Sequence, residues 1–327
     1  MIIDSRIGGL GDVWMRLLAL HTLSRLTSQR HTILVNSALL PLATNLFGER
    51  IEICHKGRGD VIYTHLGLRH LLGGMIKGDR YVLPFYWLMR RHRKTTTLKH
   101  RLNDAAILST AKMGLIRLTD PAKVADYAGY MELSALPPFA YIGFDQFCSE
   151  ASRDLPELQL RLKTLGSTYP PRTGEVVVYP SGSAHQIMPH TWATRHLSGA
   201  RFVFHRSDPY AREFRENGLK VEIFDTVDDL LRSGLGARRI ICTDSFPSHF
   251  WQVYTTNVLL LQTEQLSSYI VHPGFPTSQV ISSRAPCCPC LHIARDTGLT
   301  PCQTGHLNCL TWQNPAYESA FQVMVSV

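Results

Sequence analysis

The sequence contains no long apolar run. Across its 327 residues no stretch approaches the length of uninterrupted apolar residues that a membrane-spanning helix needs, so such a helix is excluded. Residues 1–12 hold an early aspartate and three glycines but no basic stretch followed by an apolar one, so we expect no signal peptide. The sequence also has no Asn-x-Ser/Thr sequon. These absences lead us to expect a cytoplasmic chain.

Several catalytic signatures are missing as well. No Lys-Ser/Thr pair follows the glycine turn at residues 8–11, which excludes a P-loop, and the turn lacks the GxGxxG spacing of a dinucleotide fingerprint. No HExxH occurs, and Ser245 lacks the Gly-x-Ser-x-Gly elbow of the α/β-hydrolases. The sequence therefore indicates neither a P-loop NTPase, a zinc protease nor a serine hydrolase of that type.

The composition is that of a chain able to bury a core, with 44% hydrophobic and 18% charged residues. Lysine and arginine number 34 against 26 acidic residues, a net charge of +8 that favours acidic partners such as phosphorylated sugars, nucleotides, anionic lipids or nucleic acid. No acid occurs between Tyr81 and Arg101, and the basic residues there are Arg90, Arg91, Arg93, Lys94, Lys99 and Arg101. This segment is either an ordinary solvated basic face or a cationic, partly apolar surface for an anionic acceptor or a membrane.

Strands and helices alternate along both halves of the sequence. The predicted strands are Ile2-Ile3, 31–35, 51–54 and 61–63 in the first half, and 176–179, 202–204, 221–224, 239–243 and 258–261 in the second. Such alternation predicts parallel sheets in an α/β fold. A stretch rich in Pro, Gly, Ser and Thr at 166–174 is the predicted linker. We therefore expect two Rossmann-like domains, at 1–165 and 175–327.

The first candidate site is the glycine turn that ends at Gly11 and is followed by Asp12. Glycines at a strand-to-helix turn let another molecule approach the backbone closely. Asp12 is then either a simple helix cap or a general base at the carboxyl edge of a parallel sheet, where open α/β folds place their sites.

The second candidate site lies at residues 242–250, where an apolar strand leads through Asp244 and Ser245 into a helix with His249 near its start. Free backbone N–H groups at a helix start attract a phosphate or diphosphate. Ser245 and His249 can add side-chain donors to the same anion. A plain loop is the alternative interpretation.

Three segments together resemble a known family. Residues 8–13 with Leu17-Leu18-Ala19-Leu20 are similar to the N-terminal signature of the bacterial heptosyltransferases, glycosyltransferase family 9. Residues 244–249 resemble the Asp-Ser-Gly-Pro-x-His motif of that family's second domain, and 179–183 occupy the place of its first second-domain strand and phosphate-side turn. The order and separation of the three segments match, and the resemblance spans most of the chain.

The resemblance implies a GT-B fold, with two Rossmann-like domains facing across a cleft, and an inverting transfer that needs no catalytic metal. Asp12 would deprotonate the acceptor hydroxyl in the N-terminal, acceptor-side domain. The residues implied in binding a nucleotide-diphosphate sugar are Gly11, Ser181, Gly182, Ser183, Asp244, Ser245 and His249. Phe246 replaces the family's usual glycine, and Gln186 stands where the family often has a lysine or arginine.

The sequence is compatible with more than one kind of acceptor. A glycan comes first because the family resemblance favours it. A protein hydroxyl or a hydroxymethylated DNA base also suits the basic N-terminal half. A peripheral contact with the inner membrane face is compatible with the same charge. A non-catalytic binding protein of the same fold is the rival from another class, although a scaffold has no need of Asp12, Asp244 and His249 together.

The last candidate is a cysteine-rich loop at 284–310. Five of the eight cysteines lie between Cys287 and Cys309, and a Cys-x-x-Cys followed by two cysteines at gaps of eleven and six residues suits a tetrahedral thiolate site for Zn or Fe. The predicted ligands are Cys287, Cys290, Cys302 and Cys309. Cys288 would point away, and His292 or His306 could replace one cysteine. Reduced thiols without a metal are the alternative.

Overall fold

The computed structural model describes residues 1–6, 9–62, 80–92, 96–123, 127–171, 173–182, 187–255, 257–263, 266–275, 279–286, 288 and 309–325. Within these ranges, no helix combines the length and the hydropathy that crossing a membrane requires.

The first sheet has six parallel strands in the order β3-β2-β1-β4-β5-β6. The strands are β1 Ile2–Asp4, β2 His31–Leu34, β3 Ile51–Cys54, β4 Asp60–Ile62, β5 Tyr81–Leu83 and β6 Ile116–Leu118. The described helices around it are α1 Leu10–Thr27, α2 Leu40–Phe47, α3 Tyr86–His92, α4 Leu98–Lys112, α5 Ala128–Ser134 and α6 Phe144–Gly166, with 3-10 turns at Pro121–Lys123 and Pro137–Phe139.

The second sheet also has six parallel strands, in the order β12-β11-β10-β7-β8-β9. The strands are β7 Val176–Tyr179, β8 Arg201–His205, β9 Lys220–Phe224, β10 Arg239–Thr243, β11 Val258–Leu261 and β12 Gln279–Ile281. The described helices are α7 His190–Leu197, α8 Ala211–Glu216, α9 Val227–Gly234, α10 Phe246–Tyr254, α11 Ser267–Ile270 and α12 Pro315–Val325, with a 3-10 turn at Leu310–Gln313.

Both sheets have the same connectivity. Numbered from its own first strand, each has the order 3-2-1-4-5-6, the arrangement of a doubly wound Rossmann sheet. The chain reverses its direction of travel between β1 and β4 in the first sheet and between β7 and β10 in the second. The prediction of an α/β fold with two Rossmann-like parallel sheets is confirmed, and ligands of such folds bind at the carboxyl ends of the strands beside these switch points.

Each sheet is covered by apolar helix faces. Most of α1 is buried, including Trp14, Leu17 and Leu20, which explains why its apolar residues follow no single stripe. In the second unit Trp192 packs edge-on against Phe321 of α12, with ring centroids 4.7 Å apart. The C-terminal helix α12 is thereby part of the second hydrophobic core.

The described residues divide into two compact units between Asp154 and Leu155, within the long helix α6. The stretch 166–174, predicted as the linker, follows the C-terminal end of that helix. The domain boundaries at 165 and 175 stay a prediction.

Some helices begin at other residues than the sequence pattern indicates. Helix α1 begins at Leu10 with Gly9 as its N-cap, so Asp12 is its third residue and does not open it. Helix α10 begins at Phe246, three residues before His249. Both helices begin earlier than expected, because Gly9 and Ser245 are their N-caps, and Gly11 and Pro247, which in sequence indicate turns, lie in the first helical turn.

Candidate functional site

In the first unit, Asp12 lies at the start of the helix that follows the central strand β1. Its Oδ2 accepts a hydrogen bond from the Gly9 N–H at 3.1 Å, and its side chain stays half-buried. Gly11 is buried in the same turn. Because β1 flanks the switch point, this turn is at the edge of the sheet where a ligand is expected. The capping role and a catalytic role are compatible, because one carboxylate has two oxygens.

One helical turn behind Asp12 lies a buried ion pair that sequence analysis missed. Arg16 Nε donates to Glu132 Oε2 at 2.5 Å, and a second guanidinium nitrogen donates to Oε1 at 3.0 Å. The third nitrogen donates to Ser5 Oγ, in the turn after β1, at 2.8 Å. Both charged residues are only 1% exposed. Gly129 allows this approach, because a Cβ there would lie 2.6 Å from the Met15 carbonyl oxygen.

The buried pair is electrostatically linked to Asp12. Burial and, to a smaller extent, the negative charge of Asp12 raise the pKa of Glu132 to about 7, against the downward pull of Arg16. Burial alone would lower the pKa of Arg16, but the carboxylates of Glu132 and Asp12 outweigh it and the pKa lies above its ordinary value. Asp12 is therefore close enough to the pair for the charges to interact. An arginine inside the apolar stretch of α1 is the only sequence signal of this pair.

In the second unit, the fold brings the two predicted motifs together. Ser181 and Gly182 follow β7, and Asp244 and Ser245 follow β10, the strand that pairs with β7 across the switch point. The strands are in register up to Tyr179 opposite Cys242, so both motifs leave the same edge of the sheet. Ser183 and Gln186 lie outside the described residues. Residues far apart in sequence thus converge where a doubly wound sheet binds its ligand.

The start of α10 is organised by two serines. Ser248 Oγ accepts from the Ser245 N–H at 3.2 Å and donates to the Ser245 carbonyl oxygen at 2.7 Å. Ser245 Oγ donates to the Thr243 carbonyl oxygen at 3.1 Å. Ser181 Oγ in turn donates to Asp208. The predicted phosphate-side hydroxyls therefore hold the loops in place, while the N-terminal end of α10 carries the positive pole of the helix dipole.

Asp244 and His249 lie beside each other at this helix start. His249 Nε2 is 3.7 Å from Asp244 Oδ1, and the two residues are only 6% and 7% exposed. At that distance the contact is an ion pair when the imidazole is protonated. Phe246 is the first residue of α10, and its ring centroid lies 6.0 Å from that of Phe250. The edge thus combines a helix start, a carboxylate and an imidazole.

Two solved structures are similar to this chain in fold. The chain is similar to the Escherichia coli ADP-heptose lps heptosyltransferase II, with a TM-score of 0.51 and 12% identity over 91% of this chain and 98% of that one. It is equally similar to the glycosyl transferase family 9 protein from Veillonella parvula, with a TM-score of 0.51 and 13% identity over 91% of each chain. The chain therefore shares the fold of these two proteins. No protein-family model and no curated protein matches the sequence.

The resemblance inferred from three short segments is therefore confirmed at the level of the fold. Its site residues are a separate matter, because identities of this size fix the fold and not the chemistry of individual side chains. Asp12, Asp244, Ser245 and His249 stand at the carboxyl edges of the two sheets on this chain's own geometry.

The cysteine-rich loop is described only in part. Cys309 is 8% exposed and belongs to the second hydrophobic core, and Cys288 is half-buried. The other predicted ligands, Cys287, Cys290 and Cys302, lie outside the described residues, as do His292 and His306. The base of the loop is closed, since Ser283 Oγ and Thr311 Oγ1 are hydrogen-bonded at 2.6 Å and Asn314 Nδ2 donates to the Arg284 carbonyl oxygen at 3.3 Å.

Proposed function

We propose that the protein is an inverting glycosyltransferase that moves a sugar from a nucleotide-diphosphate donor to an acceptor hydroxyl without a catalytic metal. The observation that carries this proposal is the convergence of two motifs, at Ser181-Gly182 and at Asp244–His249, on the β7–β10 edge of the second sheet. A helix N-terminus opens at the same edge, which suits a diphosphate.

The second unit supplies the chemistry of donor departure. When the nucleoside diphosphate leaves, negative charge develops on its β-phosphate. The preorganised N–H groups of α10 and an imidazolium at His249 stabilise that charge without reorganising. Asp244 is buried beside His249, with its Oδ1 3.7 Å from the imidazole Nε2. Ser181 and Gly182, in the turn after β7, and Ser183, the next residue in the sequence, complete the proposed donor-binding set.

The first unit supplies the base. Asp12 takes the acceptor proton as the hydroxyl attacks the anomeric carbon, a role that contributes about 10²- to 10⁴-fold to the rate. Its two oxygens allow one to cap α1 through the Gly9 N–H while the other faces the acceptor. Gly11 leaves room at the backbone of the same turn. Attack from the side opposite the leaving group inverts the anomeric centre.

The proposal leaves the donor sugar to be identified by testing a panel of nucleotide-sugars. The Escherichia coli relative in fold is an ADP-heptose transferase by its name, so ADP-heptose heads the donors to be tried. Phe246 stands where the family usually has glycine, and its ring narrows the space beside the donor sugar. Hexose and pentose donors therefore belong in the same panel.

The acceptor that we propose first is a glycan, and a protein hydroxyl belongs to the same proposal. We place the reaction in the cytoplasm, with the protein in peripheral contact with the membrane face. The alternative is a hydroxymethylated base in DNA, which the net charge of +8 would suit. The salt dependence of binding to duplex DNA distinguishes these acceptors. Retention on duplex DNA that weakens steeply as salt rises favours DNA, whereas absent retention favours a glycan or protein.

Ligand-dependent stability tests the proposal. A ligand that binds only the native state raises the apparent stability by RT ln(1 + [L]/Kd). We would measure the unfolding temperature with ADP, UDP, GDP, ADP-heptose, UDP-glucose, UDP-xylose and GDP-mannose, and then assay sugar release and transfer with any that bind. One nucleotide-sugar should raise the unfolding temperature and turn over.

The matched controls for this screen lie in the second unit. Asp244→Asn should weaken the stabilising effect of the active donor, whereas Asp225→Asn, which changes a carboxylate exposed on the surface, should leave it unchanged. No stabilisation by any member of the panel contradicts the proposal. Binding without turnover in any acceptor mixture would favour the non-catalytic binding protein.

For the cysteine-rich loop we propose one structural Zn or Fe ion held by Cys287, Cys290, Cys302 and Cys309. The closed base of the loop supports this, because the chain leaves and returns at hydrogen-bonded residues, while the loop itself has few apolar residues for a core of its own. Four thiolates would complete the coordination sphere, so the ion would hold the loop and do no chemistry.

Elemental analysis tests the metal proposal. We expect about one ion per chain, lost in Cys309→Ser and kept in Cys148→Ser, which changes a half-buried cysteine of the first unit. Metal-free protein that is stable and active would contradict it.

A further inference from the structure

Helix α4 has an outward face that is apolar. Residues spaced i, i+4, i+7 lie on one side of a helix, and in α4 this spacing aligns Leu98, Leu102 and Ala105, followed by Ser109. All four side chains are exposed. We call this line of residues the leucine stripe.

The stripe is unusual for the molecule. Leu98 is 73% exposed and Leu102 63%, and Met113, just beyond the helix, is 63% exposed. These are three of the eight large exposed hydrophobic residues in the described part of the chain, and they lie within one segment. Scattered exposed leucines need no explanation, but an aligned set marks an interaction surface.

The orientation of α4 is fixed by its other face. Ile107 is 4% exposed and belongs to a core with Leu83, Tyr86 and Ile116, and Thr110 on the same side is also buried. With these residues against the sheet, the leucine stripe has to face outward.

Positive charge flanks the stripe. Lys99 lies on one side of it, and Arg101 and Lys112 on the other, and none of the three forms an ion pair with a described residue. The one acid of the helix, Asp104, is half-buried on the inward side. Arg90 and Arg91 of α3 are exposed as well, and Arg93 and Lys94 follow them in the sequence.

We propose that the leucine stripe docks on the surface of an anionic phospholipid bilayer. Exposed leucines flanked by lysine or arginine suit the membrane interface, where apolar side chains reach the acyl boundary and charged ones stay among the headgroups. The leucines enter the acyl boundary while Lys99, Arg101 and Lys112 meet the lipid phosphates. A DNA duplex would use the same cations but gains nothing from exposed leucines.

The leucine stripe specifies the surface for the peripheral membrane contact proposed above, and this assignment rests on the proposed function. An acceptor carried at the membrane would be met by the acceptor-side unit, which contains α4. Its test needs no nucleotide-sugar and no turnover. If the protein fails to bind membranes, the transferase proposal is unaffected. If it fails to bind a donor, the vesicle experiment still tests the membrane surface independently.

The experiment is co-sedimentation of the full chain with vesicles of phosphatidylcholine and phosphatidylglycerol in equal parts, against pure phosphatidylcholine. We expect binding to the anionic vesicles only. Leu98→Ser with Leu102→Ser should lower the partition coefficient at least about tenfold, because apolar area no longer leaves water. Lys99→Gln and Arg101→Gln should each lower it about fivefold.

The matched control lies on α6, where Leu160 is 66% exposed and Lys163 is also exposed. Leu160→Ser with Lys163→Gln should leave the partition coefficient unchanged, and thermal unfolding of every variant shows that it is folded. The proposal is overturned if the chain does not bind anionic vesicles, or if the Leu98 and Leu102 changes leave binding intact. Salt-sensitive binding to duplex DNA that ignores both leucines would overturn it in favour of a nucleic-acid surface.

Discussion

The two halves of the chain share a strand order and differ in the chemistry behind the same edge of the sheet. In the first unit, a buried Arg16–Glu132 ion pair supports the turn that carries Asp12. In the second, hydroxyls hold the start of the helix at the corresponding edge, with Ser248 bonded to Ser245. The fold decides where a site can lie, and the side chains decide whether it handles protons or phosphates.

The largest effect should come from Asp12. In Asp12→Asn the remaining side-chain oxygen can still cap the Gly9 N–H, so the turn should keep its structure, but the base is gone. The transfer rate should fall about 10²- to 10⁴-fold. The comparison is steady-state turnover with the donor found by screening, and an undiminished rate would mean that Asp12 is only a cap.

The next effect should be on stability. Glu132→Leu leaves the buried guanidinium of Arg16 without its carboxylate, and should lower the free energy of unfolding by about 3–5 kcal/mol. Chemical denaturation at pH 8 measures this. The double variant Arg16→Met with Glu132→Leu removes both charges and should recover much of the loss. If the single and double variants are equally unstable, packing and not charge accounts for the effect.

The pH dependence sharpens the comparison further. Burial raises the pKa of Glu132 to about 7, above that of an exposed glutamate, so folding takes up a proton between pH 4 and 7. The contribution of this group to the free energy of unfolding therefore falls as the pH rises through that range and is level above it. Relative to Glu132→Gln, the wild-type protein should lose stability between pH 5 and pH 8. Parallel profiles for the two proteins would contradict this.

Asp154 provides an internal reference of opposite sign. Burial alone would raise its pKa, but hydrogen bonds from Arg25, Thr22 and Arg50 lower it below the ordinary value. Its contribution to stability is present above the pKa of an exposed aspartate and is lost as the pH falls through the folded-state pKa. The loss of stability on acidification should therefore be smaller in Asp154→Asn.

The smallest effect should come from the second unit. Ser248 is fully buried, and its Oγ is hydrogen-bonded to the backbone N–H and carbonyl oxygen of Ser245 at the start of α10. Ser248→Ala should cost about 1 kcal/mol of stability, a typical loss for a helix cap. Equilibrium denaturation is again the measurement. A loss as large as that of Glu132→Leu would show that the two edges are supported equally strongly.

Local patterns predicted the secondary structure around both candidate sites. The strands 176–179, 239–243 and 258–261 have the predicted bounds. Short strands of three residues, such as β12, have too few residues for a periodic signal. The starts of α1 and α10 were placed too late, because Gly11 and Pro247 indicate turns in sequence but lie in the first helical turn, after the N-caps Gly9 and Ser245.

The features of the site that could not be predicted from the sequence depend on contacts between residues far apart in the chain. Glu132 reaches Arg16 only because Gly129 lets α5 approach α1. The meeting of the Ser181 and Asp244 loops depends on the pairing of β7 with β10, which no local pattern encodes. The exposure of the leucine stripe likewise follows from which face of α4 the sheet covers.

The division of labour between the two halves can be measured directly as the affinity of the active nucleotide-sugar by calorimetry in Asp12→Asn and in His249→Ala. We expect His249→Ala to weaken binding by about tenfold, the loss of one charge-assisted contact to phosphate, and Asp12→Asn to bind the donor as the wild-type protein does. Unchanged affinity in His249→Ala together with weakened affinity in Asp12→Asn would contradict the assignment of the donor to the second unit and of the base to the first.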